Sequence, residues 1–325
     1  RKICYNIDMD RNTGSNLLGR LTPEKKSGLV YSGAAVASLL LSFVLVVALS
    51  LAGVDPAEAA HADWYLYLSF LLAPVAFAIV VAVWFVRTKD SPKAVVGKCR
   101  AKYFLLAVLL QIGLLSLSEV NTQFISFLER FGYVPSEVEI PSLDGGKVIG
   151  VLIAVALLPA IGEELIFRGL LLKGMKSFRL VGAALLCGAL FSLFHQNPVQ
   201  TVYQFICGAA FAFVALLSGS ILPTILSHFI NNAAIILLAK FGYSEIPAAA
   251  AVPVMVVSVL CLIGSVVWIV LEALKRKKAP PTAGGTGGTD EGEAPDRKGF
   301  FFGAALGIAL CAVVWLSGLF TGFGG

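Results

Sequence analysis

The sequence predicts an all-α protein, a polytopic transmembrane helical bundle of about eight to nine spans. Three observations predict it. Of 325 residues, 58% are hydrophobic and only 14% charged, against roughly 25% charged in an ordinary soluble domain. With a mean hydropathy of +0.85, a soluble fold of this length has too little polar surface to cover its apolar surface. Nine apolar runs approach the roughly 20 residues that a helix needs to cross hydrocarbon: 30–53, 64–87, 102–118, 148–163, 180–196, 199–218, 221–240, 250–274 and 299–320. Basic residues also gather in alternate connections, as they do in cytoplasmic loops.

Residues 1–29 are polar and basic, without the charged, apolar and cleavage regions of a signal peptide, and read as a cytoplasmic arm. Spans one to three occupy 30–147. The first connection, AGVDPAEAAHAD, has no Lys or Arg, the second, RTKDSPKAVVGKCRAK, is strongly basic, and the third, 119–147, is mostly acidic. Within the third, QFISFLERFGYVP (123–135) has apolar residues at helical spacing, which suits a helix on the membrane surface or one packed on the spans. A second block of spans follows over 148–274, and KRKK comes directly after it. Residues 275–298 form a flexible cytoplasmic linker rich in Gly, Pro and Thr, and 299–325 hold a last span. With nine spans the N-terminus lies in the cytoplasm and the C-terminus outside; the membrane is the plasma membrane if the source is bacterial. Gly303 and Gly307 have the GxxxG spacing that packs helices closely, which suggests self-association. No basic stripe with interleaved aromatics points to nucleic acid. Cys187, Cys207, Cys261 and Cys311 read as small apolar residues inside spans, with no disulfide or zinc-knuckle spacing.

An ionisable group inside a membrane span is expensive, which makes each one a functional hypothesis. His61 reads as an ordinary residue of an acidic loop. The embedded set is Glu163, Glu164, Arg168, His195 and His228, with Asn231 and Asn232. Glu164 and Arg168 are four residues apart and share a helix face, so this acid is structural. Glu163, rotated by about 100°, is free for chemistry. Pro159 removes a backbone donor and frees a carbonyl near Val155; broken backbone at this depth is tolerated where it lines a wet cavity. Phe191 and His195 are also four apart, placing ring against imidazole, and His228 shares a face with Asn232.

Three apolar helices thus each present one polar face, and together they make a polar pocket. A carboxylate and an imidazole around a water form a general-base pair, with Glu163 or His195 taking the proton. Asn232 and His228 can donate to the developing oxyanion. The alternative is zinc held by Glu163, His195 and His228, with water as fourth ligand. Against it, there is no HExxH, the three ligands come from separated helices, and metal-independent hydrolysis with no cofactor is the favoured reading.

EELIFR (163–168), FSLFH (191–195) and HFINN (228–232) occur in that order. In this the chain resembles the CPBP family of CAAX proteases and bacteriocin-processing enzymes, also called Abi, whose pattern is EExxxR, FxxxH and HxxxN. The resemblance covers roughly 148–240 and makes 148–274 the expected catalytic core. It implies an intramembrane protease similar to the enzyme that removes the last three residues of prenylated CAAX proteins. Glu163 and His195 would then activate water, His228 and Asn232 would assist the oxyanion, and Glu164 and Arg168 would support the site. The implied partners are membrane lipid and a peptide or prenylated-protein substrate, cut near the cytoplasmic face, where Lys173, Lys176 and Arg179 follow the motif. A catalytically silent scaffold or bacteriocin-immunity protein, or an ion-coupled transporter, are the other classes the residues allow.

Overall fold

The computed structural model describes residues 21–136, 138–175, 177–243, 247–278 and 296–324. Most of the cytoplasmic arm, and the linker between 279 and 295, fall outside the described residues. Among them there are no strands, only an isolated antiparallel bridge between Gly97 and Ser220.

Among the described residues eight helices are long and apolar enough to cross a membrane, and the chain is an integral membrane protein. They are α1 (Pro23–Leu51), α2 (Asp63–Thr88), α3 (Lys102–Glu129), α4 (Lys147–Met175), α6 (Pro198–Ser218), α7 (Leu222–Lys240), α8 (Ala248–Lys278) and α9 (Arg297–Phe323). Between α4 and α6 runs the shorter α5 (Leu180–Phe194), 15 residues long; at 1.5 Å per residue it covers roughly 22 Å, less than the hydrocarbon thickness.

Local signals set the ends. Thr22 caps α1 by accepting from the Lys25 N–H, and Pro23 follows in the first turn, where its missing N–H costs nothing. Gly219 ends α6 in the left-handed conformation. Two boundaries differ from the sequence expectation. The third span does not stop at 118: after a 3-10 turn at Leu115–Leu117 it continues as helix to Glu129, so the first half of the 123–135 segment extends α3. The fourth does not stop at Glu163 but continues to Met175, because the polar groups there find partners inside the bundle.

The largest core cluster joins α1, α2, α4, α5 and α9 through Tyr31, Phe77, Phe167, Phe191 and Phe300. A second joins α3, α6 and α8 through Tyr103, Leu106, Phe211 and Trp268, and a third packs Val151 and Ala156 of α4 on Ala233 and Ile236 of α7. Outward faces, such as Phe43 and Val44 of α1 and Val256 and Leu260 of α8, are apolar and exposed, as lipid contact requires.

The first and last spans lie side by side. A Cβ on Gly303 would collide with the backbone of Lys25 and Leu29, and one on Gly307 with Ser32. The Ser32 hydroxyl donates to the Gly303 carbonyl at 2.6 Å and accepts from the Gly307 N–H at 3.0 Å. The GxxxG face therefore meets α1 of the same chain rather than pointing outward to a second copy. This clasp also reaches α4 and α5. Ser27 donates to the Leu170 carbonyl at 2.9 Å and Tyr31 to that of Leu190 at 3.2 Å.

Candidate active site

The centre of the site is α4, whose regular helix is twice loosened. Leu152–Leu157 and Leu165–Leu171 are π-helical, flanking the α-helical Leu158–Glu164; π segments are rare and frequent at functional sites. Pro159 cannot donate to the Val155 carbonyl, and that oxygen instead faces the Asn232 side-chain amide of α7, with Nδ2 at 3.5 Å. The polar group freed by proline is thus answered by a neighbouring helix.

Glu164 and Arg168 are fully enclosed. Arg168 donates from one nitrogen to Glu164 Oε1 at 2.8 Å and from another to the Gly208 carbonyl at 2.9 Å. Its guanidinium stacks over Phe191 at 4.4 Å and Phe211 at 5.5 Å, where the ring faces favour a cation. The close approach of α5 and α6 brings the Gly208 carbonyl within reach: a Cβ at Gly188 would strike the backbone of Ala209 and Phe205. Glu164 Oε1 also lies 3.1 Å from Nδ1 of His228. A carboxylate accepts, so this nitrogen carries the proton and Nε2 is left with its lone pair.

His195 has the same arrangement from another source. Its Nδ1 lies 2.8 Å from the Phe191 carbonyl, one turn back, which assigns the proton to Nδ1; its ring packs against Phe191 at 4.7 Å. Both imidazoles turn Nε2 to one point. Glu163 Oε2 lies 3.9 Å from His195 Nε2 and 3.9 Å from His228 Nε2, and this buried oxygen has no hydrogen-bond partner. Three acceptors facing one another beyond hydrogen-bond distance need a donor or a cation among them. A water fits this spacing, since it donates twice.

The donor set, two imidazole nitrogens and a carboxylate oxygen, is also of the type that holds zinc. Ligands about 2.0–2.2 Å from one tetrahedral ion stand about 3.3–3.6 Å apart, so the 3.9 Å separations would have to close by a few tenths of an ångström to hold it. No group of three or more His, Cys, Asp or Glu among the described residues is arranged to hold a metal ion.

Three further polar residues, Gln111, Tyr203 and Ser227, were not singled out in the sequence, and they gather around Asn231. Gln111 of α3, buried in an apolar run, donates to Asn231 Oδ1 at 2.8 Å and accepts from Ser227 at 3.2 Å. Tyr203 donates to the same Asn231 oxygen at 3.1 Å, and Asn231 donates to Asn232 Oδ1 at 3.2 Å. This chain of bonds ties α3 and α6 to the amide that meets Val155. A search confined to ionisable groups passes over it; a lone Gln inside FLLAVLLQIGLL was the available signal. His61, as expected, is a loop residue: it is exposed and pairs with Glu139 at 2.9 Å.

Residues 145–234 match a family model, Rce1-like, described as type II CAAX prenyl endopeptidase Rce1-like. Over this stretch the chain is similar to that family. The match is consistent with the CPBP resemblance and runs from just before α4 into α7. It therefore contains Glu163, Glu164, Arg168, Phe191, His195, His228 and Asn232, while Gln111 and the α1–α9 clasp lie outside it. No match was found among curated proteins or solved structures.

Proposed function

We propose that the protein is an intramembrane endopeptidase of CAAX-protease type that hydrolyses a peptide bond with water held by Glu163 and His195. The observation that carries the proposal is the convergence of Glu163 Oε2 with two bare imidazole nitrogens, each 3.9 Å away. Water there would lose a proton to Glu163 or His195 as its oxygen attacks the carbonyl carbon. The proton then passes to the leaving nitrogen as the C–N bond breaks. Asn232 would turn its amide from Val155 to the oxyanion. His228 can donate from Nε2 only as an imidazolium, with its Nδ1 still bonded to Glu164. Glu164 thus positions His228, and Arg168 holds Glu164.

Glu163 lies 12 residues before Met175, the end of α4, on the order of 18 Å along a helix axis. The reacting bond would then lie well inside the bundle, deeper than the membrane face. In the metal-dependent version Glu163, His195 and His228 would hold zinc, which supplies an activated water when bound.

The test uses purified full-length wild type and Glu163→Gln in detergent with a panel of quenched peptides, prenylated and unprenylated, with and without chelator. Wild type should cleave and Glu163→Gln should not. Loss of cleavage with chelator would assign zinc. Equal cleavage by both proteins would remove Glu163 from the chemistry, and a cellular phenotype kept by Glu163→Gln would favour the silent scaffold.

A further inference from the structure

A second polar feature lies away from the Rce1-like site, where the basic connection after α2 meets the ends of α3, α6 and α8. A cavity of about 390 Å³ opens there, lined by Lys98, Arg100, Lys102 and Arg276 against a single carboxylate, Glu272. Glu272 is already satisfied. Lys102 donates to it at 2.8 Å and Tyr103 at 3.1 Å, and Lys275 stands 3.6 Å away. Arg276 spends its donors on the Leu216 and Leu217 carbonyls at the end of α6, at 2.7 and 2.5 Å, so no carboxylate cancels its charge. Lys98 and Arg100 are exposed, and among the described residues their side chains have neither a hydrogen bond nor an ion pair. Three cations therefore border the cavity without a counter-ion.

The surroundings select the kind of anion. Leu105, one turn into α3 from Lys102, is exposed, and the outward face of α8 next to the cavity carries the exposed Leu271 and Leu274. A soluble anion has no use for such an apolar flank, whereas a phospholipid has a phosphate for the cations and acyl chains for the leucines. Uncancelled positive charge disfavours the ammonium of a zwitterionic headgroup. We propose that this cavity binds the headgroup phosphate of an anionic phospholipid, with its chains along the leucines of α3 and α8. The proposal does not depend on the protease reading.

The test measures the unfolding midpoint of the full chain in detergent titrated with phosphatidylglycerol, phosphatidylcholine or inorganic phosphate. Phosphatidylglycerol should raise the midpoint, and the other two should not. Lys98→Ala with Arg100→Ala truncates exposed side chains, so its midpoint without lipid should match wild type, while the phosphatidylglycerol concentration it needs should rise roughly tenfold. Lys93→Ala with Lys298→Ala removes as much charge from exposed positions outside the cavity and should respond as wild type does. An equal loss in that control pair, or an equal response to phosphatidylcholine, would show diffuse attraction or simple solvation and overturn the site. A response to inorganic phosphate alone would make it a soluble-anion site, and no response to phosphatidylglycerol would also refute the proposal.

Discussion

The polar centre on α4, α5 and α7 and the clasp between α1 and α9 are built by opposite rules. In the clasp the helices are regular, small residues bring backbones together, and the Ser32 hydroxyl both donates and accepts across the interface. In the centre the helix is interrupted by π segments, and Glu163 Oε2, Glu164 Oε2 and Arg168 Nε are buried without hydrogen-bond partners. Leaving buried polar groups short of partners costs stability, and a chain does so where those groups have another use. The clasp pairs its polar groups across the interface, and the centre holds the unsatisfied groups that the proposed hydrolysis would use.

The largest effect should separate the two regions. Glu163→Gln keeps the side chain's shape and should reduce turnover by about a thousandfold or more with an unfolding midpoint close to wild type, as read by cleavage kinetics and thermal unfolding on one preparation. A large fall in stability would mean that Glu163 belongs to the scaffold after all. Next, Arg168→Ala should cost about 3–5 kcal/mol because Glu164 would be left buried without its cation. Adding Glu164→Leu should restore much of that stability but not activity, since His228 would still lack its partner; denaturation and cleavage assays on the single and double variants distinguish these outcomes.

In the clasp the effects should reverse. Gly307→Leu would force a side chain into Ser32 and should destabilise by about 1–3 kcal/mol, while turnover per folded molecule stays within a few fold. A selective loss of turnover would show that α1 reaches into the chemistry through Ser27 and Tyr31.

The smallest effect belongs to the mouth of the clasp. Thr22 donates to Asp296 at 2.7 Å and the Gly299 N–H at 2.7 Å; these two bonds hold the Asp296 carboxyl below its usual range. A lowered pKa contributes stability above the ordinary carboxylate range and loses it as pH falls through the folded value. Wild type should therefore be slightly more stable than Asp296→Asn at neutral pH, and the gap should close on acidification.

The residues of the centre were legible because each is polar in an apolar run and lies one turn from a partner: Glu164 with Arg168, Phe191 with His195, His228 with Asn232. The sequence also held the reason for Asn232's neighbour, since proline at 159 frees the carbonyl of Val155 and that oxygen is the one the amide meets. What it did not hold was anything resting on contacts between distant segments. Gln111 meets Asn231 across 120 positions, and Ser32 meets Gly303 across 271; neither has a local pattern that names its partner. The end of the fourth span was misplaced for the same reason. The uncharged run stops at Glu163, and the aromatic rings and carbonyl that receive Arg168 beyond it come from segments far along the chain.

The two π segments of α4 have a consequence for how this helix can change. Each is the signature of one residue inserted into an α-helix whose ends have stayed in place. Removing a residue from Leu152–Leu157 would return that turn to ordinary winding while both flanks keep their phase, so Glu163 would still face His195 and His228. What would change is the backbone around the Val155 carbonyl that Asn232 meets. Removing a residue from the regular turn before Glu163 would instead rotate the acid by about 100° relative to the start of α4, so the same letters with one fewer residue keep or lose the arrangement according to which turn is shortened.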